Sequence, residues 1–130
     1  MKIAARAMTA IGLLLIGGLS CGDESESDRV GIASNCTKDT DCQEVGDFQL
    51  TCLTVFKGGY CGWQGCTQDG ECPTGSVCIA EGGVNYCFRA CVEKPECNLH
   101  RAVESEANCV SSVDRVGAST TKVCVPPSGA

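Results

Sequence analysis

The sequence has no C-x-x-C pair, one histidine, and only three phenylalanines, two tyrosines and one tryptophan in 130 residues. Beyond residue 20 it has no long apolar run. Each absence removes a class of function. Without C-x-x-C there is no thioredoxin-type redox pair and no close thiolate pair of the kind zinc takes. One histidine, His100, and no G-x-S-x-G leave a nucleophile without a base to activate it. A paired-carboxylate glycosidase needs a shaped cleft, which so little apolar sequence cannot easily build. The chain is therefore expected not to be an enzyme and to carry no cofactor. An excess of positive charge is missing too. The net charge is −6, with 16 acids against 10 bases. Setting aside residues 1–20 removes Lys2 and Arg6 and no acid, which leaves 16 against 8, or −8. This argues against nucleic acid and against docking on anionic lipid headgroups.

Cysteine is present instead, 13 times. A four-cysteine phrase occurs three times: Cys36, Cys42, Cys52, Cys61; then Cys66, Cys72, Cys78, Cys87; then Cys91, Cys97, Cys109, Cys124. The first interval holds five residues in every copy, and the last holds eight in the first two. Chance does not preserve such spacing, so three tandem modules are expected at 36–61, 62–87 and 88–125. Units of this size fall below the ~40 residues at which an apolar core alone suffices. Disulfides are the expected substitute, in an oxidising compartment.

The fold class that follows is small and disulfide-rich: three four-cysteine β-hairpin modules with little helix. In the first module, residues 53–56 are β-prone, Lys57-Gly58-Gly59 turns, and Tyr60-Cys61 returns. In the second, residues 78–80 and 84–88 flank Glu81-Gly82-Gly83, and paired glycines supply the positive φ of a tight hairpin. In the third, residues 110–113 and 120–125 would be the strands, and residues 101–107 suit one or two turns of helix. Four cysteines allow three pairings, and spacing alone does not choose. The favoured expectation joins first to third and second to fourth, tying the acidic first interval to one strand and the turn to the other. Each such bridge is worth about 3 kcal/mol in the chain-entropy model. Whether the modules touch or hang as beads stays open.

Residues 1–6 carry Lys2 and Arg6, and an uncharged apolar run follows up to Ser20. The pattern is that of a signal peptide, too short for the ~20 residues of a spanning helix. Gly18-Leu19-Ser20-Cys21 resembles the bacterial lipoprotein box, with glycine where leucine is usual. The resemblance implies a lipoprotein signal peptide over 1–20, cleavage after Ser20 and lipid on Cys21, which also accounts for the odd cysteine. Cys21 would be the membrane contact. Residues 21–35 then read as lipidated cysteine and disordered acidic tether, and 126–130 as a disordered tail. Gly22 replaces the aspartate of an inner-membrane retention signal, which favours the outer membrane. The expected location is the cell envelope, extracytoplasmic and lipid-anchored.

The run of cysteines and acids from Cys66 to Cys78, with Pro73 and Gly75 between, resembles the N-terminal cysteine-rich module of Dickkopf-type secreted proteins. It is similar also to repeats in myxobacterial-type surface lipoproteins. The first module lacks the Pro-x-Gly element, and the third lacks the aspartates and the glycine. The resemblance implies a β-hairpin disulfide fold and an extracellular binding role, and carries over no binding residue.

The expected function is a disulfide-stabilised interaction module recognising a protein or glycan. Trp63, Tyr60, Tyr86 and Phe88 flank the fourth cysteines and are its candidate contact residues; packing over the disulfides is their competing role. One alternative is a calcium-dependent structural or sensory module using Asp39, Asp41, Asp47, Asp69 and Glu71, although no EF-hand phrase is present. Another is a hydrolase inhibitor presenting the Lys57-Gly58-Gly59 tip. Asn35-Cys36-Thr37 matches a glycosylation acceptor, which is accidental behind a bacterial lipoprotein signal.

Overall fold

The computed structural model describes residues 31–45 and 48–129. The expected signal peptide, Cys21 and the first part of the tether lie outside the described residues. The strands are β1 (Glu44–Val45), β2 (Phe48–Gln49), β3 (Thr51–Cys52), β4 (Cys61–Gln64), β5 (Ser76–Glu81), β6 (Val84–Cys91), β7 (Asn108–Val110), β8 (Asp114–Arg115) and β9 (Lys122–Val125). Among the described residues helix is limited to α1 (Lys94–Cys97) and three single 3-10 turns, at Asp39–Asp41, Asp69–Glu71 and Val103–Ser105. The chain is thus small, disulfide-rich and antiparallel, as its cysteine content implies. Cystines join Cys36–Cys52, Cys42–Cys61, Cys66–Cys78, Cys72–Cys87, Cys91–Cys109 and Cys97–Cys124. Every module is paired first to third and second to fourth.

β6 is the spine. β5 pairs along one edge of it, from Ser76↔Arg89 to Glu81↔Val84, through a two-residue turn at Gly82 and Gly83 with φ of 58° and 82°. That left-handed pair suits a type I′ hairpin, which glycine enters without strain. The other edge of β6 is shared. β4 takes its first half (Trp63↔Cys87) and β9 its second (Ala90↔Val123). The three modules therefore contribute to one seven-stranded sheet; they are not beads.

Alternation along β5 and β6 sorts side chains to two faces. Val77 and Ile79 sit opposite Phe88 and Tyr86 on one face, and Cys78 sits opposite Cys87 on the other. On the first face Phe56 and Tyr60 from the first module meet Tyr86 and Phe88 of β6, with ring centroids 5.2–6.0 Å apart. Such ring pairs add roughly 0.5–1.5 kcal/mol each beyond area burial. The Tyr60 hydroxyl donates to the Cys124 carbonyl at 3.1 Å and accepts from the Arg89 N–H at 3.2 Å. One side chain thereby ties the first module to both β6 and β9.

Several expectations shift. Residues 53–56 are not a strand. They coil inward, placing buried Leu53 and Phe56 in the core and Val55 outside, while β3 and β4 make the pairing that was expected of them. The turn at Gly58 and Gly59 stands, with φ of 75° and 69°. In the third module β7 and β9 pair, and Asp114–Arg115 form a separate strand on β5. The helix expected over 101–107 reduces to one 3-10 turn, because Arg101 turns into the core and takes the Ser105 carbonyl.

Both expected disordered ends are shortened. Ile32 and Ala33 are 1% and 2% exposed. The Ala33 N–H donates to Cys61, and Cys61 donates back to Ser34. Residues 31–35 are therefore part of the fold rather than of the tether. At the other end Pro126 is buried, Pro127 accepts the Lys57 N–H, and Ser128 bridges to Phe56.

Arg101 joins these pieces. It is 9% exposed. Its Nε donates to Ser105, Nη1 to Ala33 and Gly59, and Nη2 to Lys57, all carbonyls, at 2.8–2.9 Å. The guanidinium also lies 5.6 Å from the Tyr60 ring centroid. Replacing Arg101 by Met leaves four carbonyls without this donor. It is expected to lower unfolding free energy by about 3 kcal/mol or more, measured by denaturant titration with disulfides intact. Arg101→Lys should recover little, because an ammonium cannot reproduce the planar fork.

Candidate functional site

The acidic first intervals solve a local problem: each must turn sharply between two cysteines. In the first module the Asp41 carboxylate accepts from the Thr37 N–H (2.9 Å), the Thr37 hydroxyl (3.0 Å) and the Lys38 N–H (3.2 Å). In the second, Glu71 accepts from the Thr67 N–H and hydroxyl at 2.7 and 2.8 Å. In the third, Glu96 accepts from the Val92 and Glu93 N–H groups. The acid just before the second cysteine is the same device each time. A second acid pins the strand. Asp39 accepts from the Cys52 N–H at 2.8 Å and Asp69 from the Cys78 N–H at 3.0 Å, each the third cysteine of its module. The third module has Lys94 at that position, and it pairs with Glu106 at 2.8 Å instead.

These carboxylates were the candidate calcium ligands. One oxygen each of Asp39, Asp41 and Asp69 and both of Glu71 are engaged in turn and strand bonds, and Asp47 lies outside the described residues. The Lys57 tip also departs from the inhibitor reading. A substrate-like loop must offer an open carbonyl, and that of Lys57 is taken by buried Arg101. Asn35 is similarly occupied. Its amide donates to Gly58 and Ser105, and its carbonyl accepts from Ala102, so it has no free amide to modify. His100 is exposed, and its backbone carbonyl accepts the Asn35 N–H.

The candidate contact residues divide. Tyr60 and Phe88 have no exposed surface and Tyr86 has 6%. These three are core, since a side chain without surface cannot meet a partner. Trp63 differs. It is half-buried on β4, packed partly on the second module's cystines Cys66–Cys78 and Cys72–Cys87. Phe48 meets it edge-on at 6.4 Å. The rest of the ring lines a surface groove of about 470 Å³ with Asp39, Thr40, Glu44, Gln49, Leu50 and Thr51. The elements around this groove are the first module's acidic turn, the β1–β2 hairpin and the β3–β4 pair. Gln49 donates to Glu44 at 2.7 Å across the hairpin. Spacing could not show this wall, because short irregular strands between the second and third cysteines bring it to Trp63.

The capping pattern fixes a pH dependence. Hydrogen bonds from Thr37 hold Asp41 below its ordinary carboxylate pKa, and those from Thr67 do the same for Glu71. A carboxylate depressed in the folded state stabilises above its unfolded pKa of about 4, and that stability is lost as pH falls through the folded value. Stability should be flat above about pH 5 and fall in acid. An Asp41→Asn, Glu71→Gln variant should show a shallower acid limb, read from melting temperatures between neutral pH and strong acid.

Comparison with protein-family models, with curated proteins and with solved structures yields no match.

Proposed function

We propose that the protein is a non-enzymatic lipoprotein of the cell envelope, held extracytoplasmically through lipid on Cys21, and that it works as a disulfide-stabilised interaction module. The groove walled by Trp63 is its contact face, and that groove is the observation carrying the reading. Four of the six aromatic side chains close the core, whereas Trp63 keeps part of its ring in a concave, polar-rimmed surface. Large aromatic side chains in such settings supply much of the affinity of protein contacts. The six cystines give the groove walls a rigid base, which lowers the entropy lost on binding. Cysteine content supports an oxidising compartment, and residues 1–21 supply the expected export and anchoring signals.

Two measurements test this. The intact mass of protein from a membrane fraction should show a lipid-sized addition on Cys21, with reduction adding two protons for each of six cystines. An unlipidated mass would remove the anchor. Trp63→Ala should weaken capture of an envelope partner by about 2 kcal/mol. Gln49→Arg, at an exposed groove position away from the core, should also weaken it. Undiminished capture by both variants would reject the groove as the contact face.

A further inference from the structure

We propose that the groove beside Trp63 takes a cationic side chain, an arginine or lysine presented by a basic segment of a partner protein. The inference rests on the groove being the contact face and adds the chemistry of its occupant.

Among the described residues two carboxylates, Asp39 and Glu44, line the groove, and no basic side chain does. Asp39 has one oxygen committed to the Cys52 N–H. Glu44 has one oxygen committed to the Gln49 amide nitrogen. Each carboxylate therefore keeps a second oxygen among the described residues, and Gln49 keeps its carbonyl. The Thr51 hydroxyl lies 3.5 Å from the Gly62 carbonyl. The remaining capacity is mostly acceptor and carries negative charge. Among the described residues Thr40, one amide hydrogen of Gln49 and the Trp63 indole N–H are the side-chain donors left.

A wall rich in acceptors and poor in donors suits a ligand with donors and no acceptors. Among biological side chains those are guanidinium and ammonium. A sugar brings acceptor oxygens of its own, for which this wall has few partners. Trp63 adds a second, independent attraction. An indole face draws a cation within about 6 Å of its centroid, and tryptophan does so best of the aromatic side chains. The apolar stem of lysine or arginine can lie along the same ring while its head reaches the carboxylates. The chain's net charge of −6 acts in the same direction, steering a basic segment toward the surface before contact.

The test uses the oxidised full chain and its single tryptophan, Trp63, as reporter. Tetra-arginine amide is titrated while Trp63 fluorescence is followed, with N-acetyl tetraglutamine amide and chitotriose as uncharged probes. A saturable change is expected with the arginine peptide alone, weakening as salt is raised. Asp39→Asn combined with Glu44→Gln keeps the shape and the Asp39 acceptor while removing both charges, and should weaken binding roughly three- to tenfold. Glu44→Gln alone, at an exposed position, should give part of that loss with no change in melting temperature. Equal arginine binding by the double variant overturns the inference. So does a fluorescence change with chitotriose and none with arginine, which would leave the groove as a contact face with a glycan occupant. If no probe binds while partner capture still depends on Trp63, the cationic occupant is wrong and the contact face stands. If that capture is also independent of Trp63, both fall.

Discussion

A buried arginine with no carboxylate partner among the described residues holds this molecule in one piece. Arg101 is ringed by backbone carbonyls from the entry segment (Ala33), the first module's turn (Lys57 and Gly59) and its own loop (Ser105). Carbonyl dipoles satisfy every nitrogen of the fork without a second charge to desolvate. Burial pulls the guanidinium pKa down, with Tyr60 opposing, yet an arginine of this kind stays protonated. Glycine is required beside it. Gly59 has φ of 69°, and a Cβ there would run into the Cys36 carbonyl and the Cys36–Cys52 sulfurs. Arginine, turn and first cystine therefore depend on one another.

Around that hub the cystines work in pairs. In each module two bridges lie side by side, with three of the four sulfurs within 4.8 Å of one another. The turn acids aim the chain at them. Where the second pinning acid is lost, in the third module, the interval to the third cysteine is longest and the Lys94–Glu106 pair stands in. The same module's long last interval lies over the second module. Val116 packs on its cystines, donates to the Cys78 carbonyl, and is followed by Gly117 against Asp69. Divergence of the third repeat is thus what lets it cover the second.

The class of fold was legible in the cysteine count and spacing; the pairing order was not, since spacing left three choices, and the structure shows the favoured one. The β5–β6 hairpin was legible too, since Gly82-Gly83 admits few alternatives. The first module misled because residues 53–56 have strand-like composition, whereas Leu53 and Phe56 are spent on the shared core. That core could not be seen module by module: Tyr60 makes sense only beside Phe88 and Cys124. Arg101 gave no signal, because nothing in its neighbours marks it from a surface residue. The Trp63 groove was half legible. The aromatic itself stood out, but its acidic and amide wall is assembled from residues that spacing alone assigns to loops.

The joining of Ala33 and Ser34 to Cys61 bears on how the chain carries load. A pull on the chain before Gly31 arrives first at those backbone bonds and at the Arg101–Ala33 contact. Asn35 resists next through its bonds to Gly58, Ser105, Ala102 and His100, and behind it Cys36 is already fastened to Cys52. From there covalent bridges confine extension to short slack segments, so tension can draw out little beyond the first few residues. Force of that kind would spend itself at the entry point, leaving the sheet and the Trp63 groove with their geometry intact.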